Sequence, residues 1–477
     1  MSFEGELRDQ FAEADLAGQL DGGSLDAVKA RAKQRTLRTR AVAAAAIVAA
    51  VVGVGIGLTA LANMRVDDFE TLDDAENSVV EDGESGETER PDDVVVETSQ
   101  VSDADFSYIG SFLVPTDGNG EEGPSRFSFG GAAAAVDPQG DPDGTDEFSG
   151  SMFMTGFPTN AQVAEISIPA PVPHNGTADG LPVAQFLQPF SDVTDGRATT
   201  FVGSEEANGS GVYRIGGLEV LDGPGGRRLH WTTWQQFDNA AHDNPGHGHS
   251  SLDLSAPDPQ GPWFVGDFEG YETAGYLFAV PEDFANESLG GRELISGFRD
   301  IMSTFPSTSQ GSPFFAFTPP ASAEPESRIE GPLELANYEA PDQELDGFRD
   351  TAVAPGASWV STSDGRGAVV TVGNENTIPD VRCESAGQRP LEDFGPEIRF
   401  YDPADLAAVA AGSAEASDIA PYRTWDPTDD LIPTCGVQIA SISFDADAGR
   451  VYIVQLYADT SRSEFDFNPV IHVWDID

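Results

Sequence analysis

Residues 440–455 read ASISFDADAGRVYIVQ. Small and apolar residues run to Phe444, a turn rich in Asp with a Gly follows, and a second apolar run begins at Val451. β-Branched and aromatic residues on either side of such a turn predict two antiparallel strands, Ile439–Phe444 and Val451–Tyr457. The phrase recurs at 132–156 (AAAAVDPQGDPDGTDEFSGSMFMTG) and at 351–373 (TAVAPGASWVSTSDGRGAVVTVG). Recurrence of one supersecondary phrase along a chain is how adjacent inner strands of β-propeller blades read. The final stretch 470–476, VIHVWDI, reads as the outer strand of such a blade, and with a strand from the start of the domain it would close the ring and remove its edges.

Working outward, further strands are predicted at 106–114, 130–136, 151–155, 163–168, 263–265, 275–280, 314–318, 368–372 and 398–401. A hairpin is predicted from 213–221 and 227–234 around DGPGG. Within this part of the chain helical patterns are confined to 281–289 and 403–411, the second with Asp402 as N-cap and Pro403 at the first turn. Short strands, Gly/Pro turns and little helix define an all-β domain over 106–477, and its length suits a β-propeller of five to seven blades.

Ahead of that domain the composition changes. Residues 41–63, AVAAAAIVAAVVGVGIGLTALAN, hold no charge, close to the ~20 apolar residues that span a bilayer as a helix. Basic residues from Lys29 to Arg40 precede this segment, whereas Asp67, Asp68 and Glu70 follow it. The positive-inside rule then predicts a single-pass protein, with the helical head 1–40 in the cytoplasm and the remainder extracytoplasmic. The alternative is cleavage near Ala62, after the A-x-A pattern 60–62, which would release the outer part as a secreted protein. Gly53 and Gly57 form a GxxxG pair that would let two such helices dimerise. Residues 64–105 are rich in Asp, Glu, Ser and Thr without apolar period, and predict a disordered acidic stalk.

The chain of 477 residues carries a formal net charge of -56. The charges of residues 1–40 cancel, so the acidic excess lies entirely beyond the apolar segment. Such a surface excludes nucleic acid as a partner. Cys383 and Cys435, the only cysteines, are expected to form a disulfide on an oxidising face. No GxSxG elbow, P-loop, HExxH or dinucleotide fingerprint is present.

Candidate sites are few. His242, His247 and His249 lie within HDNPGHGH, and His230 precedes them in LHWTTW. His-x-His on a Gly-rich loop could present two imidazoles to a transition metal, with Asp243 or Asp238 completing the set, or could supply acid–base groups at the mouth of a propeller. Trp231 and Trp234, with Trp263, Tyr271 and Tyr276 nearby, offer aromatic surface for a glycan or peptide. Asp141, Asp143 and Asp146 have the D-x-D-G look of a calcium loop, although the twelfth position from Asp141 is Met152 where the EF-hand pattern needs Glu.

The stretches FSYIGSF, FSFGGAAAAVDP, VAEISIPAP, HSSLDLSAPDPQGPWFVGD, EIRFYDPADLAAVAAG and VIHVWDI together resemble a family of uncharacterised bacterial extracytoplasmic β-propeller-like proteins. The head and anchor resemble those of actinobacterial membrane proteins. The resemblance implies the propeller fold and no particular activity. The expectation is therefore a binding or scaffold module for a glycan, peptide or envelope protein. The alternative is an extracytoplasmic hydrolase or lyase working from a histidine-rich mouth.

Overall fold

The computed structural model describes residues 100–116, 126–141, 148–157, 161–200, 212–223, 225–236, 244–268, 270–298, 311–338, 352–375, 395–434, 436–462 and 466–477. The chain divides into units Met1–Val95 and Val96–Asp477, and all described residues belong to the second. The head 1–40, the apolar segment 41–63, the stalk as far as residue 99, Cys383 and Cys435 lie outside the described residues. Among the described residues no helix is long and apolar enough to cross a membrane.

Strand β1 is Phe106–Leu113. Blade one follows as β2 (Ala134–Asp137), β3 (Ser151–Thr155), β4 (Gln162–Ser167) and β5 (Phe186–Asp192). Blade two is β6 (Val212–Gly223), β7 (Gly226–Gln236), β8 (His247–Ser250) and β9 (Gln260–Val265). Blade three is β10 (Leu277–Ala279), β11 (Leu294–Ser296), β12 (Phe314–Phe317) and β14 (Leu333–Ala336); β13 (Arg328–Ile329) instead pairs in parallel with β9 of blade two. Blade four is β15 (Val353–Ser361), β16 (Gly367–Asn374), β17 (Pro396–Tyr401) and β18 (Arg423–Trp425). Blade five is β19 (Gln438–Asp445), β20 (Arg450–Asp459) and β21 (Asn468–Ile476), and β1 completes it as the fourth strand. The innermost strands touch in the cyclic order β2, β6, β10, β15, β19 and back to β2, so the fold is a closed five-bladed propeller. The stretch 470–476 is the third strand of its blade, and β1 is the outer one.

Each blade is covered on both faces by its neighbours, which explains the near-continuous apolar runs such as Val451–Val454. Alternation survives as a choice of neighbour. In β2 and the residue before it, Ala133 and Ala135 pack toward blade two while Ala134 and Val136 pack toward blade five. The turn between β19 and β20 forms because the Asp445 carboxylate accepts from the backbone amides of Asp447 and Ala448. Near the axis, serine side chains satisfy backbone groups that no strand pairs. The Ser441 and Ser443 hydroxyls of β19 accept from Ala134 N at 2.9 Å and Val136 N at 2.8 Å. The helix Pro403–Ala410 starts as predicted, with Asp402 Oδ1 accepting from Ala404 N at 2.8 Å.

Ring closure has its own polar lock. Gln455 of β20 pairs with the Ile432 backbone through both ends of its amide, which fixes which atom is oxygen. His472 Nε2 must therefore donate to Gln455 Oε1 (2.8 Å), leaving Nδ1 to accept from the Tyr108 hydroxyl of β1 (3.1 Å). Burial holds the His472 imidazole neutral, its pKa lowered to about 3. The residues just before β1 are also fastened, although the sequence places them in the stalk. Val101 is fully buried, and Arg366 makes a two-pronged contact with Asp105 at 2.9 and 3.1 Å.

The closing strand depends on Gly110. Its φ is +140°, and a Cβ there would sit 2.5 Å from the Val172 carbonyl carbon, because the β4–β5 connection crosses β1 at this point through the Ser111–Val172 bridge. We predict that Gly110→Ala costs about 1–3 kcal/mol, measured as a lowered denaturant midpoint. Gly223→Ala, where an added Cβ meets nothing within 4 Å, should leave the midpoint nearly unchanged. Equal midpoints for the two variants would refute the closure argument.

Candidate functional site

The sequence HGH, expected as a loop, forms strand β8 at the middle of blade two. In the β7–β8 register His230 faces His249 and Thr232 faces His247, so all four share one surface of the blade. That surface packs on blade three. His247 Nε2 lies 3.1 Å from the Ser296 hydroxyl, and its ring stands edge-on to Phe317 at 5.2 Å. His249 Nε2 donates to the Pro320 carbonyl at 3.2 Å. Gly248 stands between the two histidines because Trp231 lies across it, with ring atoms 2.3 and 2.4 Å from where a Cβ would be. Trp231 points the other way, into the gap with blade one, and donates from Nε1 to the Ser250 hydroxyl at 2.9 Å.

Glu219 of β6 extends this row, since it faces His230 in the register and accepts from the Ala279 amide of blade three. Burial pushes the Glu219 carboxyl up to about 8 and holds His230 and His247 down to about 3; for His230, nearby His249 and Arg228 act in the same direction. Burial also lowers His249. Glu219, His230 and His249 thus form a neutral polar seam between blades two and three, with His247 one step along it. His230, His247 and His249 are thus buried between blades, whereas the sequence suggested a loop at the mouth. The strand period turned the imidazoles inward, and blade three fills the space around them.

Among the described residues no group of three or more His, Cys, Asp or Glu converges as a metal site. His242, Asp243, Asp238, Asp143 and Asp146 lie outside the described residues, so neither the histidine set nor the calcium loop of Asp141 is seen whole. Trp234 sits at the mouth end of β7, its ring tilted against Phe298 at 5.0 Å and beneath the Arg214 guanidinium at 5.7 Å. It is largely buried.

The mouth is the face where inner strands begin and second strands end. Over the junction of blades five and one it carries a cluster that sequence reasoning missed. Phe129 lies 6.0 Å from Phe157, 6.0 Å from Tyr457 and 5.6 Å from Phe467. None of the four is a fully buried core residue, and Tyr457 is 36% exposed. Arg126 covers the Phe157 ring at 4.9 Å and approaches Asp466 at 3.7 Å, both charged side chains being about two-fifths exposed (41% and 44%). The Ser128 hydroxyl donates to Asp466 at 3.0 Å. Apolar faces next to a fixed cation, carboxylate and hydroxyl suit an amphipathic ligand. The available signal was aromatic residues concentrated in connections, as in 127–130 (FSFG), 156–157 (GF) and 465–467 (FDF), where no strand core needs them.

No family model matches the chain, and no curated protein matches it significantly. Solved structures resemble it in outline. A thermostable family-43 glycoside hydrolase aligns over 76% of this chain and 92% of its own at 11% identity and a TM-score of 0.35. The Penicillium chrysogenum alpha-L-arabinanase complexed with arabinobiose aligns over 77% and 98% at 10% identity and 0.32. The Trypanosoma rangeli sialidase in complex with the inhibitor DANA aligns over 77% and 55% at 9% identity and 0.32. Similarity at this level transfers no activity and no residue role.

The seam titrates in a defined direction. Glu219 is raised in the folded state, so unfolded chains release its proton first and stability falls as pH rises from 4.5 toward 8. His230 and His247 are lowered, so their contribution is complete above pH 6.5 and is lost as pH falls toward 3. Glu219→Gln removes only the first slope. Its stability gain over wild type should grow between pH 5 and pH 8.5, reaching on the order of 2–3 kcal/mol in urea denaturation. A gain independent of pH would show that Glu219 is ionised in the fold.

Proposed function

We propose that this protein is a carbohydrate-binding propeller that takes neutral glycans at the Phe129–Phe157–Tyr457–Phe467 cluster, and that the apolar segment 41–63 holds it at the outer face of the cell membrane. The observation that carries the reading is the partly exposed aromatic cluster beside the Arg126–Asp466 pair on the mouth face. Aromatic rings stack on the C–H faces of sugars, and a guanidinium beside a carboxylate can share the vicinal hydroxyls at the edge. A chain of net charge -56 disfavours polyanionic glycans, which selects neutral ones. The hydrolase alternative would rest on imidazoles that pack against Ser296, Phe317 and Pro320 inside the ring. The basic residues from Lys29 to Arg40, just before the apolar segment, support the outer placement of the domain.

Titration of the purified chain against arrayed neutral and acidic oligosaccharides tests the first part. Neutral glycans should bind, and Phe157→Ala or Arg126→Ala should weaken them by about tenfold or more with little change in melting. Absence of any glycan binding by the wild type would overturn the reading. The topology has a separate test, because Lys29 and Lys33 are the only lysines. A membrane-impermeant amine reagent should leave the chain unlabelled in intact cells and label it after permeabilisation. Labelling in intact cells would overturn the orientation.

A further inference from the structure

Among the described residues five non-glycine positions have positive φ: Phe129, Asp195, Asp258, Glu326 and Tyr457. Three carry short or flexible acidic side chains. The other two are aromatic, and both belong to the mouth cluster. Phe129, at φ 60°, is the third residue of a turn closed by the Gly130 amide on the Phe127 carbonyl at 2.7 Å, a position that favours glycine. Its amide is held in turn by the Phe467 carbonyl at 2.8 Å. Tyr457, at φ 59°, lies where the β20–β21 register slips between Gln455 and Asp459. A bulky residue in this backbone region is strained, and two such residues stand 6.0 Å apart on different blades.

We propose that Phe129 and Tyr457 are held in left-handed backbone so that their rings form a floor already open before ligand arrives, and that they select a single pyranose ring presented by its C–H face. The inference rests on the carbohydrate reading of the cluster and adds which rings define specificity. The strain is placed where relaxation would remove the floor. With glycine in either position the backbone would relax and the ring would be lost. Arg126 and Asp466, at the edge of the cluster, meet the hydroxyls of the same sugar ring. Rigid aromatic rings set in advance reduce the ordering cost of binding, which favours a cyclic, flat-faced sugar over an open-chain polyol with the same hydroxyls.

The test uses Phe129→Gly, Tyr457→Gly and Tyr457→Phe in the full chain, with neutral glucose oligosaccharides and an open-chain hexitol as probes. Both glycine variants should melt at or above the wild-type midpoint, by up to roughly 4 °C, while their Kd for the oligosaccharides rises about tenfold or more. Tyr457→Phe should retain binding, and the hexitol should bind at least about tenfold more weakly than the oligosaccharide. A midpoint that falls as far as that of Phe127→Ala, a buried core ring, would show that the two rings are structural supports and overturn the proposal. Unchanged oligosaccharide affinity in the glycine variants would overturn it too, while leaving the carbohydrate reading intact. A wild type that binds no sugar removes that reading and this proposal together.

Discussion

The pairing of β1 with β21 is the constraint on which the molecule depends. The first strand of the domain supplies the outer strand of the last blade, from Phe106–Ile476 to Leu113–Val470, so the ring is complete only when the first and last strands of the domain meet. Every interblade core then becomes part of one cycle. The gap between blades five and one is the one no covalent link between consecutive blades would otherwise hold. It is filled by Phe112, Ala134, Met152, Tyr452 and Ile471, residues drawn from both ends of the domain. Without β1 that cluster would lose a wall, and β21 would expose an unpaired edge.

Closure also places the site. The mouth cluster gathers Arg126, Phe129 and Phe157 from blade one with Tyr457 and Phe467 from blade five, so it exists only across the closed seam. The opposite arrangement holds between blades two and three. There Glu219, His247 and His249 each reach one polar partner on blade three, His230 lies against His249, and burial disfavours the charged form of all four. The two gaps contain the same kind of raw material, aromatic and ionisable side chains, and differ in whether the neighbouring blade covers it.

How much could be read in advance follows from these differences. The all-β ring was legible because strands buried on both faces leave unbroken apolar runs, and because turns such as the one at Asp445 carry their own side-chain hydrogen bonds. The blade number was not, since blade three is built from strands as short as Leu277–Ala279 and Leu294–Ser296, whose pattern is too brief to count. The histidines misled because HGH has the composition of a loop. Its extended conformation is imposed by pairing with β7 and β9, and the period of two then turns both imidazoles inward. Phe129, one residue ahead of the strand predicted at 130–136, was not singled out, since nothing in a sequence announces a phenylalanine at a position suited to glycine. Residues 100–105 were read as stalk from their acidity, yet Asp103 and Asp105 are the partners of Arg423 and Arg366.

That last feature has a mechanical meaning. The chain enters the ring at the end of β1 opposite the mouth, beside the turn that carries Arg366, and Arg366 and Tyr422 grip the backbone carbonyls of Gln100 and Val101. A pull applied along the axis of β1 loads the hydrogen bonds to β21 in shear, so they share the force rather than opening one by one. The Arg366–Asp105 and Arg423–Asp103 contacts take up load before the strand does and spread it into blade four. The same strand that closes the ring is thereby the one best oriented to resist being drawn out of it.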